Sequence, residues 1–152
     1  MEKDIINILI VDDEKYEGIL IEKCVNWESE GFHIIGNVQC AEDALKLMEK
    51  QVPDIVYTDI NMPRIDGLEL SRRIRDTYPA VRIVIVTGYR EFEYAREAIH
   101  IGVEEFLLKP IQSDELLAAA MKLREQILKK REQQSKDVEI YPVLCQELLR
   151  RI

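Results

Sequence analysis

Four charged side chains follow three short apolar segments, and together they could form a phosphoryl-transfer site. The adjacent acids Asp12 and Asp13 follow one segment, Asp59 ends a second, and Lys109 ends a third. Carboxylates that converge on one point repel each other unless a cation lies between them. Mg²⁺ suits such a cluster because it takes oxygen ligands and needs few carboxylates when phosphate oxygens are present. An ionised aspartate beside that cation could attack a phosphoryl donor.

Each of these residues also has a simpler interpretation when taken alone. An Asp12-Asp13 pair can be a solvated acidic turn that leads into a helix N-terminus, where negative charge is favourable. An aspartate such as Asp59 commonly closes a turn at the end of a strand. Lys109 precedes Pro110, which cannot continue a strand, and a lysine in that position is usually a surface residue. The hypothesis of a site therefore depends on the three segment ends lying side by side.

Five short segments rich in Ile and Val predict the strands that would position these residues. The segments are nearly continuous in apolar residues rather than alternating, which is typical of strands buried on both faces. The predicted strands are residues 5–11, 32–38, 55–58, 81–87 and 106–108.

Amphipathic segments between the strands predict helices. Apolar residues at helical spacing form four sets: Tyr16, Ile19, Leu20, Cys24 and Trp27; Ala41, Ala44, Leu45 and Met48; Leu70, Ile74 and Tyr78; and Phe92, Ala95 and Ile99. Five strand–helix repeats with short connections predict an α/β fold with a parallel sheet and helices on both faces. Ligands of such sheets bind beyond the carboxyl ends of the strands, where Asp12, Asp59 and Lys109 fall.

Composition predicts one ordinary globular domain. The chain has 152 residues, of which 47% are hydrophobic and 33% charged, and its net charge of −8 argues against direct binding of nucleic acid. No apolar run is long enough to cross a membrane and no signal peptide is recognisable, so we expect a cytoplasmic protein without a membrane partner. Cys24, Cys40 and Cys145 are too widely spaced for a metal motif, which favours reduced thiols.

The chain resembles the receiver domain of two-component response regulators over residues 5–130. The residues that carry the resemblance are Ile10-Val11-Asp12-Asp13-Glu14, Asp59-Ile60-Asn61-Met62-Pro63, Asp66-Gly67, Thr87-Gly88 and Leu108-Lys109-Pro110. The resemblance implies the flavodoxin-like receiver fold, with five parallel strands in the order 2-1-3-4-5. It also implies transfer of a phosphoryl group to Asp59 from the phosphohistidine of a sensor histidine kinase. The chain would then be a phosphoacceptor signalling domain, with at most self-phosphorylation and autodephosphorylation activity.

A metal site follows from the same resemblance. It implies that Asp13 and Asp59 bind Mg²⁺ (or Mn²⁺) directly, together with the main-chain carbonyl of Asn61. Asp12 would act on the metal largely through water. Lys109 would hold a phosphoryl oxygen.

The resemblance also implies a switch. Thr87 would hold a phosphoryl oxygen, and Thr87 and Phe106 would couple phosphorylation to the face made by the fourth helix, fifth strand and fifth helix, which typically forms a homodimer. Many receivers have tyrosine where this chain has Phe106, so the switch would be steric. Tyr89 could shield the phosphoryl group from water, which predicts slow autodephosphorylation.

The C-terminal part predicts a helical extension and an output connection. Residues 113–133 can form one long helix, and apolar residues resume at Val138, Tyr141, Leu144, Cys145, Leu148 and Leu149, with Pro142 among them. We expect a receiver over residues 1–130 and a linker or the start of an output segment over 131–152. Residues 88–95 and 102–111 resemble receivers that precede AraC-type DNA-binding domains, so transcription would be controlled through a domain absent from this chain.

Three other functions remain open from the sequence. An aspartate-nucleophile phosphatase usually has a second aspartate two residues after the nucleophile, where this chain has Asn61, and His33 and His100 fall in a strand and a helix. A flavin or nucleotide module on the same fold needs a Gly-, Ser- or Thr-rich loop after the first strand, which Asp12 and Asp13 replace. A receiver that no longer accepts phosphate is the third.

Overall fold

Five parallel strands form a single sheet in this computed structural model, which describes residues 4–89 and 91–150, with side chains described as far as residue 134. The strands are β1 (Ile6–Val11), β2 (Phe32–Val38), β3 (Ile55–Thr58), β4 (Arg82–Thr87) and β5 (Glu105–Leu108). Their order in the sheet is β2-β1-β3-β4-β5 and every neighbouring pair is parallel. The predicted fold class and strand order are confirmed.

Helices cover both faces of the sheet. They are α1 (Lys15–Cys24), α2 (Ala41–Lys50), α3 (Gly67–Thr77), α4 (Phe92–Ile101) and α5 (Ser113–Arg150), with a short 3₁₀ turn at Glu28–Glu30. Buried residues of α1 and α5 pack on one face, and those of α2, α3 and α4 on the other. No helix in the described part of the chain has the length and apolarity needed to span a membrane.

Strand β1 lies at the centre of both cores. Ile6, Ile8 and Ile10 belong to the cluster under α1 and α5, whereas Leu9 and Val11 belong to the cluster under α2, α3 and α4. All five side chains are at most 1% exposed. Because successive side chains of a strand point to opposite faces, burial on both faces explains the uninterrupted apolar run that predicted this strand.

Two of the apolar sets correctly indicate helices but do not mark their buried faces. In α1 the buried residues are Gly18 and Ile21, while Tyr16 and Leu20 of the predicted set are exposed. In α4, Ala98 is the buried residue. Phe92 and Ile99 are 76% and 77% exposed. These apolar side chains therefore form surface patches rather than core contacts.

Helix α5 is longer than predicted. It runs from Ser113 to Arg150 without a break, instead of ending near residue 133. Residues 132–137 are polar, but they include no glycine or proline, so nothing in them ends a helix. The side chains after residue 134, including the predicted apolar set that begins at Val138, lie outside the described residues.

Tyr57 ties β3 to α5. Its hydroxyl donates a hydrogen bond of 2.7 Å to the main-chain carbonyl of Leu116, and its ring packs 5.9 Å from that of Trp27. The side chain is fully buried, and burial raises the pKa of its hydroxyl far above the ordinary value. The hydroxyl is therefore a permanent donor, which holds the start of α5 against the strand that leads to Asp59.

Candidate functional site

The carboxyl ends of three strands bring the predicted site residues together. Asp12 follows β1, Asp59 follows β3 and Lys109 follows β5. Backbone hydrogen bonds continue the sheet past the strand ends: the amide of Asp59 donates to the carbonyl of Val11 at 3.0 Å, and that of Lys109 donates to the carbonyl of Thr87 at 2.8 Å. The site residues are therefore held by the sheet itself rather than by loose loops.

Three carboxylates form an acidic cluster at this edge. Asp12, Asp13 and Asp59 each offer one oxygen, and these oxygens lie within 4.8 Å of one another. Asp12 is 1% exposed and Asp59 is 7% exposed, whereas Asp13 is open to solvent. A set of oxygen donors that is part buried and part open suits Mg²⁺, which keeps several of its waters when it binds protein. The residues present therefore fit a divalent cation.

Lys109 bridges two members of the cluster. Its ammonium lies 3.1 Å from a carboxylate oxygen of Asp12 and 3.1 Å from one of Asp59. Burial by itself would lower the pKa of Lys109, but the negative charges of Asp59 and Asp12 outweigh burial and raise that pKa above its ordinary value. The side chain is therefore a fixed positive charge beside the carboxylates of Asp12 and Asp59. The peptide bond between Lys109 and Pro110 is cis.

Asp12 is the most buried acid of the cluster. Burial raises the pKa of its carboxyl from 3.8 to about 6, although the amide of Glu14 and the charge of Lys109 act in the opposite direction. The Glu14 amide donates to one carboxylate oxygen at 2.9 Å while Lys109 holds the other. A cation at this site would favour the ionised form of Asp12, because opposite charge stabilises a carboxylate.

The connection between β3 and α3 presents the carboxylate of Asp59. One carboxylate oxygen accepts a hydrogen bond of 2.7 Å from the amide of Ile60, and the other faces Lys109. Gly67 packs directly against the backbone of Asp59, so closely that a Cβ at this glycine would lie 1.8 Å from the carbonyl oxygen of Asp59. Asp66 caps α3 by accepting a hydrogen bond of 2.8 Å from the amide of Glu69. The loop that carries Asn61 is thereby folded back onto Asp59.

The two predicted switch residues occupy neighbouring strands. Thr87, at the end of β4, is fully buried, and its hydroxyl accepts a hydrogen bond of 3.3 Å from the amide of Tyr89. Phe106 is half-buried in β5 and packs against the core under α2, α3 and α4. Phe106 is the register partner of Ile85, and Thr87 that of Leu108. Both switch residues therefore belong to the same pair of strands.

Three other residues considered from the sequence are Asn61, His33 and His100. Asn61 is exposed in the connection that follows β3. His33 pairs with Asn7 in the sheet, towards the amino end of β2, and its ring contacts Glu28 at 2.8 Å. His100 is exposed in the last turn of α4. Neither histidine approaches the strand ends where Asp59 lies.

Sequence patterns did not predict the contact of Glu17 with the site or the helix-capping role of Asp66. Glu17, in the first turn of α1, lies 4.0 Å from the ammonium of Lys109. No local pattern indicates this contact, because the two residues are far apart in the chain. The Asp66 cap had a signal that was missed: an aspartate followed three residues later by a glutamate is typical of a helix start.

The chain matches the family of response regulator receiver domains over residues 8–121. The transcriptional regulatory protein YesN of Bacillus subtilis is 37% identical over 112 residues, and the transcriptional regulatory protein DegU of Brevibacillus brevis is 30% identical over 114 residues. The matched regions cover 74% and 75% of this chain but only 30% and 48% of those proteins. This chain therefore spans half or less of the length of these two relatives.

Solved structures show the same relationship. The receiver domain of AraT, a response regulator from Geobacillus stearothermophilus, superposes with a TM-score of 0.78 at 31% identity, over 84% of this chain and 98% of that one. A CheY-like receiver domain protein from Methanospirillum hungatei shares the fold, with a TM-score of 0.76 at 24% identity, over 83% of this chain and 98% of that one. With the family match over most of its length and the acidic cluster at the carboxyl edge of its sheet, this chain belongs to the response regulator receiver domains of two-component systems.

Proposed function

We propose that Asp59 accepts a phosphoryl group from the phosphohistidine of a sensor histidine kinase. The observation that carries this proposal is the position of Lys109, whose ammonium lies 3.1 Å from both Asp12 and Asp59. A carboxylate oxygen of Asp59 forms the new bond to phosphorus while the bond from phosphorus to the kinase imidazole breaks, and the imidazole nitrogen takes up a proton. Positioning and charge stabilisation are most of what phosphoryl transfer requires from a protein.

The proposed metal ligands are Asp13, Asp59 and the main-chain carbonyl of Asn61, with Asp12 acting through water. The spacing of the three carboxylates supports a divalent cation, Mg²⁺ or Mn²⁺. When bound, the cation supplies positive charge against the oxygens of the transferring group. Lys109 and the hydroxyl of Thr87 hold those oxygens from the side of β4 and β5.

Proposed regulation runs from Thr87 to the face made by α4, β5 and α5. In the present structure the hydroxyl of Thr87 holds the amide of Tyr89. When it turns to a phosphoryl oxygen instead, the amide of Tyr89 loses this hydrogen bond and Phe106 can repack. The exposed side chains of Phe92 and Ile99 lie on α4, which supports self-association of the phosphorylated protein through this face.

The proposed organisation is a receiver over residues 1–130 followed by a connection to an output domain. The family match ends at residue 121, and α5 continues to Arg150 as one helix. YesN and DegU are transcriptional regulators of which this chain covers less than half. We infer that the chain controls transcription through a DNA-binding domain of the AraC type, which the resemblance of residues 88–95 and 102–111 supports.

The direct test is incubation with acetyl phosphate and Mg²⁺, followed by intact mass measurement. We expect the wild type to gain the mass of one phosphoryl group only when Mg²⁺ is present, and Asp59→Asn to gain none. Asp76→Asn is the matched control, since Asp76 is an exposed aspartate in α3 away from the cluster. If Asp59→Asn gains as much mass as the wild type, Asp59 is not the acceptor. A wild type that gains no mass from acetyl phosphate or from its kinase overturns the proposal.

A further inference from the structure

Two tyrosine rings meet beside the proposed site. The ring centroids of Tyr89 and Tyr94 lie 6.3 Å apart with an angle of 79° between the planes, an edge-to-face contact. Tyr89 is exposed in the connection after β4, whereas Tyr94 is half-buried in the first turn of α4 and packs against the core under α2, α3 and α4. One ring is therefore anchored in the core and holds the other, which faces solvent.

Gly88, between Thr87 and Tyr89, faces open space on the side where a Cβ would be. A Cβ at Gly88 would meet no atom within 4 Å. The amide of Tyr89 donates to the hydroxyl of Thr87 at 3.3 Å. The contacts described for Tyr89 are thus Thr87 on the site side and Tyr94 on the helix side.

We propose that Tyr94 is a positioning residue that keeps the ring of Tyr89 over the mouth of the site and so slows hydrolysis of the acyl phosphate. The inference rests on the proposed function, because it concerns the phosphoryl group on Asp59. In that hydrolysis a water oxygen forms a bond to phosphorus, the bond between phosphorus and the Asp59 oxygen breaks, and the carboxylate leaves with the electron pair. The water proton passes to solvent, and a ring held at the mouth restricts the approach of this water.

Substitutions of Tyr94 separate the ring contact from the rest of the side chain. Tyr94→Leu removes the aromatic edge, and we expect it to shorten the lifetime of the acyl phosphate in Mg²⁺ buffer by about two- to tenfold. This is the range of rate factors that corresponds to the interaction energy of one aromatic pair. Tyr94→Phe keeps the ring and should stay within about twofold of the wild type. Tyr78→Leu is the matched control, because Tyr78 is a half-buried tyrosine of the same core whose ring does not contact Tyr89.

A double-mutant cycle distinguishes positioning from a general loss of packing. In a Tyr89→Ala background, the further change Tyr94→Leu should leave the lifetime unchanged, since there is no ring left to position. Equal shortening in the Tyr89→Ala and wild-type backgrounds overturns the inference. So does a Tyr94→Leu lifetime equal to that of the wild type.

A measurement on the wild type covers the case in which Tyr94→Leu does not fold. The protein loaded with Mg²⁺ and beryllofluoride, a phosphoryl mimic, should show nuclear Overhauser effects between the ring protons of Tyr89 and Tyr94. Absence of these effects overturns the inference about Tyr94. If the wild type is nevertheless phosphorylated, the proposed function of Asp59 still stands. A wild type that accepts neither acetyl phosphate nor beryllofluoride overturns both.

Discussion

The ammonium of Lys109 lies 3.1 Å from the carboxylate of Asp59, a residue 50 positions earlier in the chain. The same nitrogen is 3.1 Å from Asp12, so one cation balances two buried acids. Removing one partner of a buried ion pair leaves the other charge without compensation, which costs more than the pair contributes. The relationship therefore yields a test that does not depend on phosphorylation.

Lys109→Met should lower the free energy of unfolding by about 1–3 kcal/mol in buffer with a chelator. Added Mg²⁺ should recover most of this loss, because the divalent cation replaces the missing positive charge beside Asp12 and Asp59. Urea unfolding with and without Mg²⁺ measures both quantities. Lys122→Met is the control, since Lys122 pairs with Glu105 on the surface. An equal loss with and without Mg²⁺ would show that the ammonium does not balance these acids.

Gly67→Ala should damage the site through the backbone. The added methyl group would lie 1.8 Å from the carbonyl oxygen of Asp59, so the loop between β3 and α3 must move. We expect a loss of about 1–3 kcal/mol in the free energy of unfolding and slower phosphorylation by acetyl phosphate. Gly88→Ala meets no neighbouring atom and should change stability by less than about 0.5 kcal/mol. Similar losses for the two variants would contradict the close packing at Gly67.

Tyr57→Phe removes the hydrogen bond between β3 and α5 and nothing else. Because the hydroxyl is buried and donates to Leu116 at 2.7 Å, the free energy of unfolding should fall by about 1 kcal/mol. Urea denaturation of the variant against the wild type measures this difference. Tyr16→Phe alters an exposed tyrosine of α1 and should not change the free energy of unfolding measurably. If Tyr16→Phe lowers it as much as Tyr57→Phe does, the buried hydrogen bond is not the cause of the loss.

Phe92→Ser and Ile99→Ser should weaken self-association of the phosphorylated protein. Both side chains are more than three-quarters exposed on α4, where burial against a second copy would remove apolar surface from water. Sedimentation after treatment with acetyl phosphate and Mg²⁺ should show fewer dimers for each variant. Leu20→Ser, on the exposed side of α1, should dimerise like the wild type. A reversed pattern would move the dimer contact to α1.

Asp54→Asn should loosen the far part of α5. One carboxylate oxygen of Asp54 forms an ion pair of 2.6 Å with Arg131. The other oxygen accepts a hydrogen bond of 2.8 Å from the amide of Asn7. The amide oxygen of asparagine can keep the second contact, so the change isolates the charge. Partly exposed pairs contribute about 0.2–1 kcal/mol, which corresponds to an increase of up to about fivefold in amide exchange of α5 beyond residue 131.

Exchange confined to that segment is the outcome expected for Asp54→Asn. Arg131→Gln should reproduce it, and the double variant should add little, because the two residues share one interaction. Asp76→Asn serves as a control on α3. Unchanged exchange after residue 131 in both single variants would mean that the pair does not hold α5.

The sequence was sufficient to predict the sheet and the residues at its carboxyl edge. Strand β3 is buried at all four positions, which explains its uninterrupted apolar run, and it was predicted with the bounds that the structure shows. The bounds of the edge strand β2 were also predicted correctly, although most of its residues are only half-buried. Polar residues directly after apolar strands are conspicuous, which is why Asp12, Asp59 and Lys109 could be expected to meet.

The buried faces of α1 and α4 could not be predicted from apolar spacing. Helix α1 turns Gly18 towards the sheet, where a Cβ would lie 2.6 Å from the side-chain oxygen of Asn37 in β2. Helix α4 buries the small residue Ala98. Close approach of backbones selects small residues, which carry little weight in a hydrophobic pattern. The contacts of Glu17 with Lys109 and of Tyr89 with Tyr94 likewise depend on tertiary positions.

Strand β3 has a charged residue just outside each of its ends. Asp54 precedes it and holds Arg131 of α5, and Asp59 follows it as the proposed acceptor. At a rise of about 3.3 Å per residue, the two acids are roughly 17 Å apart on one extended stretch of backbone. The strand is paired with β1 on one side and with β4 on the other. The proposed acceptor and the acid that holds Arg131 are therefore separated by the four residues of one strand, with no loop between them.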